Sequence, residues 1–356
     1  MEFTRFCSSI IVKGYDLYKK RIYSMLDKTA NINKWKKDLM PEICMLFLSI
    51  KGRTPGVGRY WSGCAQASRW SLEISGIAAI DVDNHFAFHL EAVHEGGPQP
   101  DENLLDWYGH VLYARKDTLA QLSSYIVADT YFAKKPFVDK VLSMQMHLIS
   151  RLRDDVDLKY LFTGERTGQR GRPRKHDGKI DWTNLNHHHF SVIKIDQLTT
   201  VYSAIVHPKS FKRNIKIACE FTTSEKRKIT HKIYFSTDLE MEASDIINYC
   251  RSRFQIEFLY RDGKQHTGLD HPQARSENKL HFHFNTSLTS INIARVCHWL
   301  QLPKEQREAF SMADIKTLYH NMLLLERFIH LFAVNPNKIK NQDIVKELIY
   351  YGTIAA

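Results

Sequence analysis

Two acidic residues carry the chemistry this sequence suggests. Asp129 ends the short apolar run Tyr125 to Ala128, and Glu257 lies in the stretch NYCRSRFQIEFLYRDGK from Asn248 to Lys264. A strand-end carboxylate and a helix-borne one, far apart in sequence, can converge on a divalent cation. Mg²⁺ takes hard oxygen ligands and usually needs one or two carboxylates beside a phosphate. Two such ions roughly 3.5–4 Å apart would activate a water and stabilise the leaving oxygen in phosphodiester cleavage. The same residues have a plainer reading, in which Asp129 caps a helix and Glu257 pairs with Arg253 four residues earlier for about 0.3–0.5 kcal/mol. From the residues alone both readings stand.

The element expected to position Glu257 is one continuous helix. At about 100° per residue, Tyr249, Arg253, Glu257 and Lys264 share a stripe roughly 80° wide, with Ile247, Phe254 and Phe258 forming an apolar stripe beside it. A charged face next to a buried one predicts a partly buried carboxylate with cationic company. The element expected to position Asp129 is a βαβ unit: strand Tyr125 to Ala128, helix Lys134 to Leu142, strand His147 to Leu152. In such sheets function gathers at the carboxyl ends of strands, where Asp129 stands.

Upstream, Trp35, Leu39, Ile43, Leu46 and Ile50 recur at spacings of three and four and predict a helix over Tyr15 to Gly52, with Gly52 as its C-cap. Thr54-Pro55-Gly56 stops it. Ser71 to Ile80 and His85 to Val93 read as strands around the turn Asp81 to Asn84, and a helix follows from about Glu102 to Leu122. From Asp154 to about Leu239 short alternating strands (Thr200 to Val206, Ile215 to Phe221, Thr230 to Phe235) predict a β-rich insertion. Helices resume through Leu280 to Leu300 and Met312 to Phe332.

The 356 residues include 50 Lys and Arg against 39 Asp and Glu, a formal charge of +11, which suits a polyanion and most simply nucleic acid. Six cysteines without a C-x-x-C pair argue against a zinc site or disulfide framework and fit a reducing compartment. The longest apolar run, Ile43 to Ile50, is far short of the ~20 residues of a membrane helix, so no membrane segment is expected and the cytoplasm is the expected location.

The spacing Arg253, Glu257, Lys264 resembles the Y-R-E-K signature of insertion-sequence transposases of the DDE class. Cys250 stands where that pattern has its tyrosine, and Tyr249 is displaced by one. TPGVGRYWSGCA, SGIAAIDVDNHFAFHLEAV, YIVADTYFAKKPFV and ISRLRDDVDLKY resemble segments of the same family in the same order, so the likeness runs from Thr54 to about Arg295. The resemblance implies an RNase H-like α/β fold, a mixed sheet flanked by helices, with a β-rich insertion and helical N- and C-terminal segments. It also implies Mg²⁺ or Mn²⁺ as cofactor and double-stranded DNA, transposon ends and target, as partner, and it allows a homodimer on DNA. Asp129 and Glu257 would be the second and third acids of the catalytic, metal-holding triad, with Arg253, Lys264 and Tyr249 at the DNA. The expected division is 1–53 a helical remnant, 54–153 the first part of the core, 154–241 the insertion, 242–300 the core's third-acid helix and its successor, and 301–356 C-terminal helices.

The family's first acid has no counterpart before Thr54, where an Asp on the first core strand is expected. An internal deletion near Arg53-Thr54, removing that strand, is the simplest reading and predicts impaired catalysis. The competing reading lets Ile43 to Ile50 form a strand in the gap, with Glu42 or Asp38 near the site. Asp81 and Asp83 are further substitutes, in a turn. Arg170, Arg172, Arg174 and Lys175, in the run RGRPRK, resemble a basic hook that follows the minor groove. His187 to His189 and the pair His281 and His283 lack ligand spacing and are assigned no metal, and the tryptophans are expected mostly in the core.

Overall fold

The computed structural model describes residues 39–48, 54–62, 66–94, 102–165, 173–195, 198–223, 229–301, 310–333, 335 and 339–353. Leu39–Leu48 is a strand, β1, where the three-four spacing predicts a helix. It pairs antiparallel with Ala67–Asp81 from Leu39↔Asp81 to Leu48↔Leu72, and parallel with Tyr125–Ala128 at Glu42↔Val127 and Ile43↔Ala128. Without β1 those two strands would present open rows of amides to each other. That demand outweighs a periodicity which, over a short apolar run, cannot separate a buried helix from a buried strand. Pro41 has no N–H to give, and it stands just ahead of the two residues of β1 that pair with Tyr125–Ala128. The first core strand, expected to have been deleted, is therefore present. Leu39–Leu48 contains no Asp.

β2 (Val57–Ser62), β3 (Ala67–Asp81) and β4 (Phe86–Val93) follow, then helices α1 (Leu104–Tyr113) and α2 (Lys116–Ala120), split where one helix is expected. The βαβ unit is β5 (Tyr125–Ala128), α3 (Lys135–Ser143) and β6 (His147–Leu152). The central order β4-β3-β1-β5-β6, with β1, β5 and β6 parallel and β3 reversed, is RNase H-like. The β-rich block supplies β7 (Leu158–Leu161), β8 (His176–Lys179), β9 (Ser191–Ile195), β10 (Thr199–Pro208), β11 (Ile215–Thr223) and β12 (Ile229–Ser236). It continues the core sheet, because β12 pairs antiparallel with β6 from Ile233↔Leu152 to Ser236↔Ile149, giving twelve strands among the described residues.

Helices cover both faces. Trp107, Tyr108, Val111 and Leu112 of α1 and Phe137, Val138 and Val141 of α3 bury against Ile126 and Ala128 on one side. The other side takes α4 (Ala243–Ser252), α5 (Gln255–His266) and α6 (Glu277–Gln301), whose Ile246, Ile256, Leu259, Phe284 and Leu288 pack with Leu72, Ile74, Ala78 and Val127. A hairpin of α7 (Met312–Leu331) and α8 (Ile339–Ile349) ends the chain. No helix among the described residues is long and apolar enough to cross a membrane.

The outer edge of β4 is closed by side chains of α6. The Asn292 amide accepts from His89 N at 3.0 Å and donates to His89 O at 2.8 Å; Asn285 does the same to Ala92 N and O at 2.9 and 2.8 Å; Arg295 Nη1 donates to Ala87 O at 2.8 Å. These amides mimic a neighbouring strand and fix the register of α6 on the sheet.

Candidate active site

Asp129 leaves β5 with extended backbone and turns at once into a 3₁₀ turn, Thr130–Phe132. Its carboxylate accepts from Thr130 N at 2.8 Å, and its carbonyl accepts from Ser150 Oγ on β6 at 3.1 Å, which ties the end of β5 to its neighbour. The side chain is half-buried. The capping role is thus real, and it leaves the second carboxylate oxygen available.

Glu257 does not sit on one long helix. α4 stops at Ser252 and α5 starts at Gln255, and between them the N–H groups of Phe254, Ile256 and Glu257 donate to carbonyls three residues back, Arg251, Arg253 and Phe254. The tighter winding replaces the usual four-residue bonds and breaks the stripe expected from a uniform 100° step. Phe254 and Phe258 consequently lie exposed, and the buried face of α5 is Ile256, Leu259, Tyr260 and Gly263. Glu257 and Lys264 share the flank of that face. Arg253 is 11% exposed in its side chain and places Nη2 2.9 Å from Oε1 of Glu257, itself 49% exposed, while its guanidinium lies 4.7 Å over the Phe254 ring. Glu257 stands in the first turn of α5, where the helix dipole favours a negative charge.

Tyr260 sets the height of α5 on the sheet. Its hydroxyl occupies the space above Gly76 of β3, so a Cβ at Gly76 would overlap it. Gly76 pairs across β1 with Cys44. Since Ile43 pairs with Ala128 in the parallel ladder, Cys44 and Asp129 are the next residues on two adjacent strands and stand level. Glu257 stands one turn before Tyr260 on α5, which lies over β1, β3 and β4, and Asp129 stands level with Cys44 on the strand beside β1. A lone glycine inside a strand pattern marks a close approach, and Gly76 was the sequence signal for Tyr260.

The other expected residues are placed apart. Tyr249 lies on α4 with its ring 6.3 Å from Tyr125, at the opposite end of β5 from Asp129, beside a Tyr125 hydroxyl that donates to Asp238 at 2.7 Å. Burial and that acid push the Tyr125 phenol to about 12. Arg170 and Arg172 lie outside the described residues. Arg174 folds back onto its own loop, 3.3 Å from Asp177 and over the Phe162 ring, and Lys175 is exposed. Asp38 is also outside the described residues, whereas Glu42 holds the register position opposite Ala78 and Val127, two residues before Cys44. Asp81 is buried in its turn, where its carboxylate accepts twice from Asn84 at 2.9 Å. Trp70 is exposed under Arg59, against the expectation of a core position. A carboxylate not foreseen, Glu73 of β3, is buried on the opposite face and accepts from the Tyr108 hydroxyl; burial raises its pKa.

For a divalent cation, the donor chemistry of Asp129 and Glu257 is suitable, both being hard oxygens. Among the described residues no three His, Cys, Asp or Glu are gathered to hold a metal ion.

A piggyBac transposase synaptic complex with hairpin DNA, solved by cryo-EM, is similar over 89% of this chain at 11% identity and a TM-score of 0.36. This chain spans 59% of that one. No curated protein matches. The sequence profile described as Transposase DDE domain matches residues 96–293, more than half of the 356, and the chain belongs to that family.

Proposed function

We propose that this chain is an insertion-sequence transposase whose strand cleavage is impaired because its acid set is incomplete. The observation that carries the proposal is the register of β1: the residue level with Asp129 on the neighbouring strand is Cys44, where a third carboxylate would share a cation with Asp129 and Glu257. The family reaction is metal-dependent hydrolysis at transposon ends, followed by attack of the freed 3′-hydroxyl on target DNA, with no covalent protein intermediate. Mg²⁺ or Mn²⁺, when bound, supplies the charge that activates water and stabilises the leaving oxygen. Asp129 and Glu257 would hold it. Arg253 and Lys264 take DNA phosphates, as bidentate and point-charge partners respectively.

Arg170, Arg172, Arg174 and Lys175 contact DNA phosphate without reading sequence, and Tyr249, on α4, sets its ring beside Tyr125 of β5. The division into a core at 54–153 and 242–300, an insertion at 154–241 and C-terminal helices from 301 belongs to this reading, as do two copies on the DNA and a cytoplasmic site of action.

The test is a nicking assay on duplexes carrying the terminal inverted repeats, with Mg²⁺ or Mn²⁺. Cys44→Asp is expected to raise the rate roughly tenfold or more, a gain of about 1.4 kcal/mol in the barrier, and Glu257→Gln added to it to abolish the gain. Ordinary nicking by the native chain that disappears in Glu257→Gln would refute impairment. Salt-dependent DNA binding with no cleavage even in Cys44→Asp would favour the alternative, a DNA-binding remnant that occupies transposon ends.

A further inference from the structure

β2 and β3 run on past the rest of the sheet. Among the described residues the β1 ladder on β3 ends at Leu48↔Leu72 and the β4 ladder at Val93↔Ser75, whereas β2 pairs with β3 from Val57↔Leu72 to Ser62↔Ala67. Leu72 and Ile74 are fully buried, but Ala67 to Trp70 are exposed. Residues 57–72 contain Arg59 and Arg69 and no Asp or Glu. The outer ribbon is thus cationic and has no core beneath it.

Register gives its direction. β1 is parallel to β5, so the way from Cys44 to Leu48 is the way β5 points as it ends in Asp129. β3 is antiparallel to β1, and Trp70 lies six residues past Gly76 in that same direction, about 20 Å at the rise of a strand. Alternation gives its face. Gly76 lies under Tyr260, Leu72 and Ile74 pack with α4 to α6, and Trp70, two residues from Leu72, stands on the same side. Val127 packs there too, so Asp129, two residues on in extended backbone, shares that face. Arg59 pairs with Trp70 across the ribbon and holds its guanidinium 5.7 Å over the indole, and among the described residues no carboxylate pairs with it. Tyr60 and Arg69 oppose each other on the reverse face. The Trp70 indole is 61% exposed. An arginine stacked on such a ring offers a planar fork to a phosphate, beside a flat apolar surface.

We propose that the outer β2–β3 ribbon is a DNA contact separate from the acids: Arg59 takes a phosphate of duplex DNA and Trp70 packs against the neighbouring sugar, within about six base pairs of the phosphate at Asp129 and Glu257. This rests on the transposase reading, which puts DNA at those acids. The test is fluorescence anisotropy of the full chain on a duplex carrying the terminal inverted repeat, over a salt series. Arg59→Ala should weaken binding about three- to tenfold and lower the slope of log affinity on log salt by about one. Trp70→Ala should weaken it at unchanged slope, and Trp70→Phe should restore most of the loss. Arg69→Ala, on the reverse face, should keep the native slope. A photocrosslinking phenylalanine in place of Trp70 should join the duplex within about six base pairs of its cut end. Native affinity and slope in both Arg59→Ala and Trp70→Ala would overturn the proposal, as would equal losses in Arg59→Ala and Arg69→Ala, which would make the effect one of net charge. Crosslinks that are absent or lie elsewhere would do the same. All three results leave the transposase reading standing, whereas a native chain that does not bind the duplex would refute that reading and the proposal with it.

Discussion

The two faces of the sheet hold their helices by different means. Under α1 and α3 the contact is an apolar layer with a buried carboxylate, Glu73, served by a neutral donor, Tyr108, and a bidentate pair in which Arg115, just after α1, donates to Glu91 of β4 at 2.6 and 2.7 Å. Under α4 to α6 the apolar layer is supplemented by directional ties, with Asn285, Asn292 and Arg295 bonding the backbone of β4 and Arg253 bonding Glu257 along the helix. Burial alone is non-directional and tolerates small slides. Bonds to a strand's backbone fail if the helix slips, so they fix α6 at one register. Polar side chains of α6 bond the backbone of β4 and so fix register, whereas those on the α1 side, Tyr108 with Glu73 and Arg115 with Glu91, meet side chains of the sheet.

The strongest way to break this contrast is to remove the ties. Asn285→Ala with Asn292→Ala leaves the N–H and C=O of both His89 and Ala92 unpaired inside the protein. At about 1–3 kcal/mol for each lost set, the pair should lower unfolding stability by about 4 kcal/mol, read as a shift of the urea midpoint at unchanged slope. A combined loss below about 0.5 kcal/mol would mean that α6 is placed by packing alone.

Next in size is the response to acid. Burial holds His89 neutral, with its pKa lowered to about 4, beside the Asn285 amide 3.1 Å away. The unfolded chain takes up that proton below about pH 6.5 and the folded chain refuses it until about pH 4. The contribution is therefore complete above pH 6.5 and is lost as pH falls toward 4, by about 3 kcal/mol. His89→Gln should flatten this limb of the stability profile; an unchanged limb would place the acid sensitivity elsewhere.

The α1 face gives a smaller effect of opposite sign. Burial raises the Glu73 pKa against the lowering bond from Tyr108. A raised carboxylate favours folding most below its unfolded value, and that gain is lost as pH rises through the folded one. Glu73→Gln should stabilise the protein near pH 7 and remove the decline between acid and neutral pH. Tyr108→Phe, which strips the donor, should cost about 1–2 kcal/mol. Calorimetry at pH 5 and pH 8 checks both, and a Glu73→Gln protein that melts lower at pH 8 would show the charged form to be well accommodated.

These particulars also show what the sequence could convey. β5, α3 and β6 were legible because each is bounded by local signals, Asp129 after an apolar run and Pro136 in the first turn of α3. β1 was not, because its state is decided by the strands on either side, Ala67–Asp81 and Tyr125–Ala128, which no local pattern in Leu39–Leu48 encodes. Asp129 and Glu257 were legible as types and spacings. The 3₁₀ joint at Arg253-Phe254 was not, since a uniform helical step carries no record of tighter winding. Gly76 signals a close approach but does not name the residue that makes it, which is Tyr260. The level of Cys44 with Asp129 is a property of sheet register and appears in no stretch of sequence.

The smallest stability effect falls on Glu257, and it separates the two kinds of carboxylate. Its pair with Arg253 is a half-exposed i, i+4 contact of the kind worth about 0.3–0.5 kcal/mol. Glu257→Gln should leave the melting temperature nearly unchanged, in contrast to Tyr108→Phe on the other face. It should also free the Arg253 guanidinium for phosphate, so binding to duplex DNA should hold or tighten and its salt dependence should steepen slightly. Fluorescence anisotropy over a salt series measures this. Weaker DNA binding with unchanged melting would mean that Glu257 orients Arg253 toward the phosphate and does not compete with it. Glu257 thus contributes little to folding, and its loss is expected to register in DNA binding before it registers in melting.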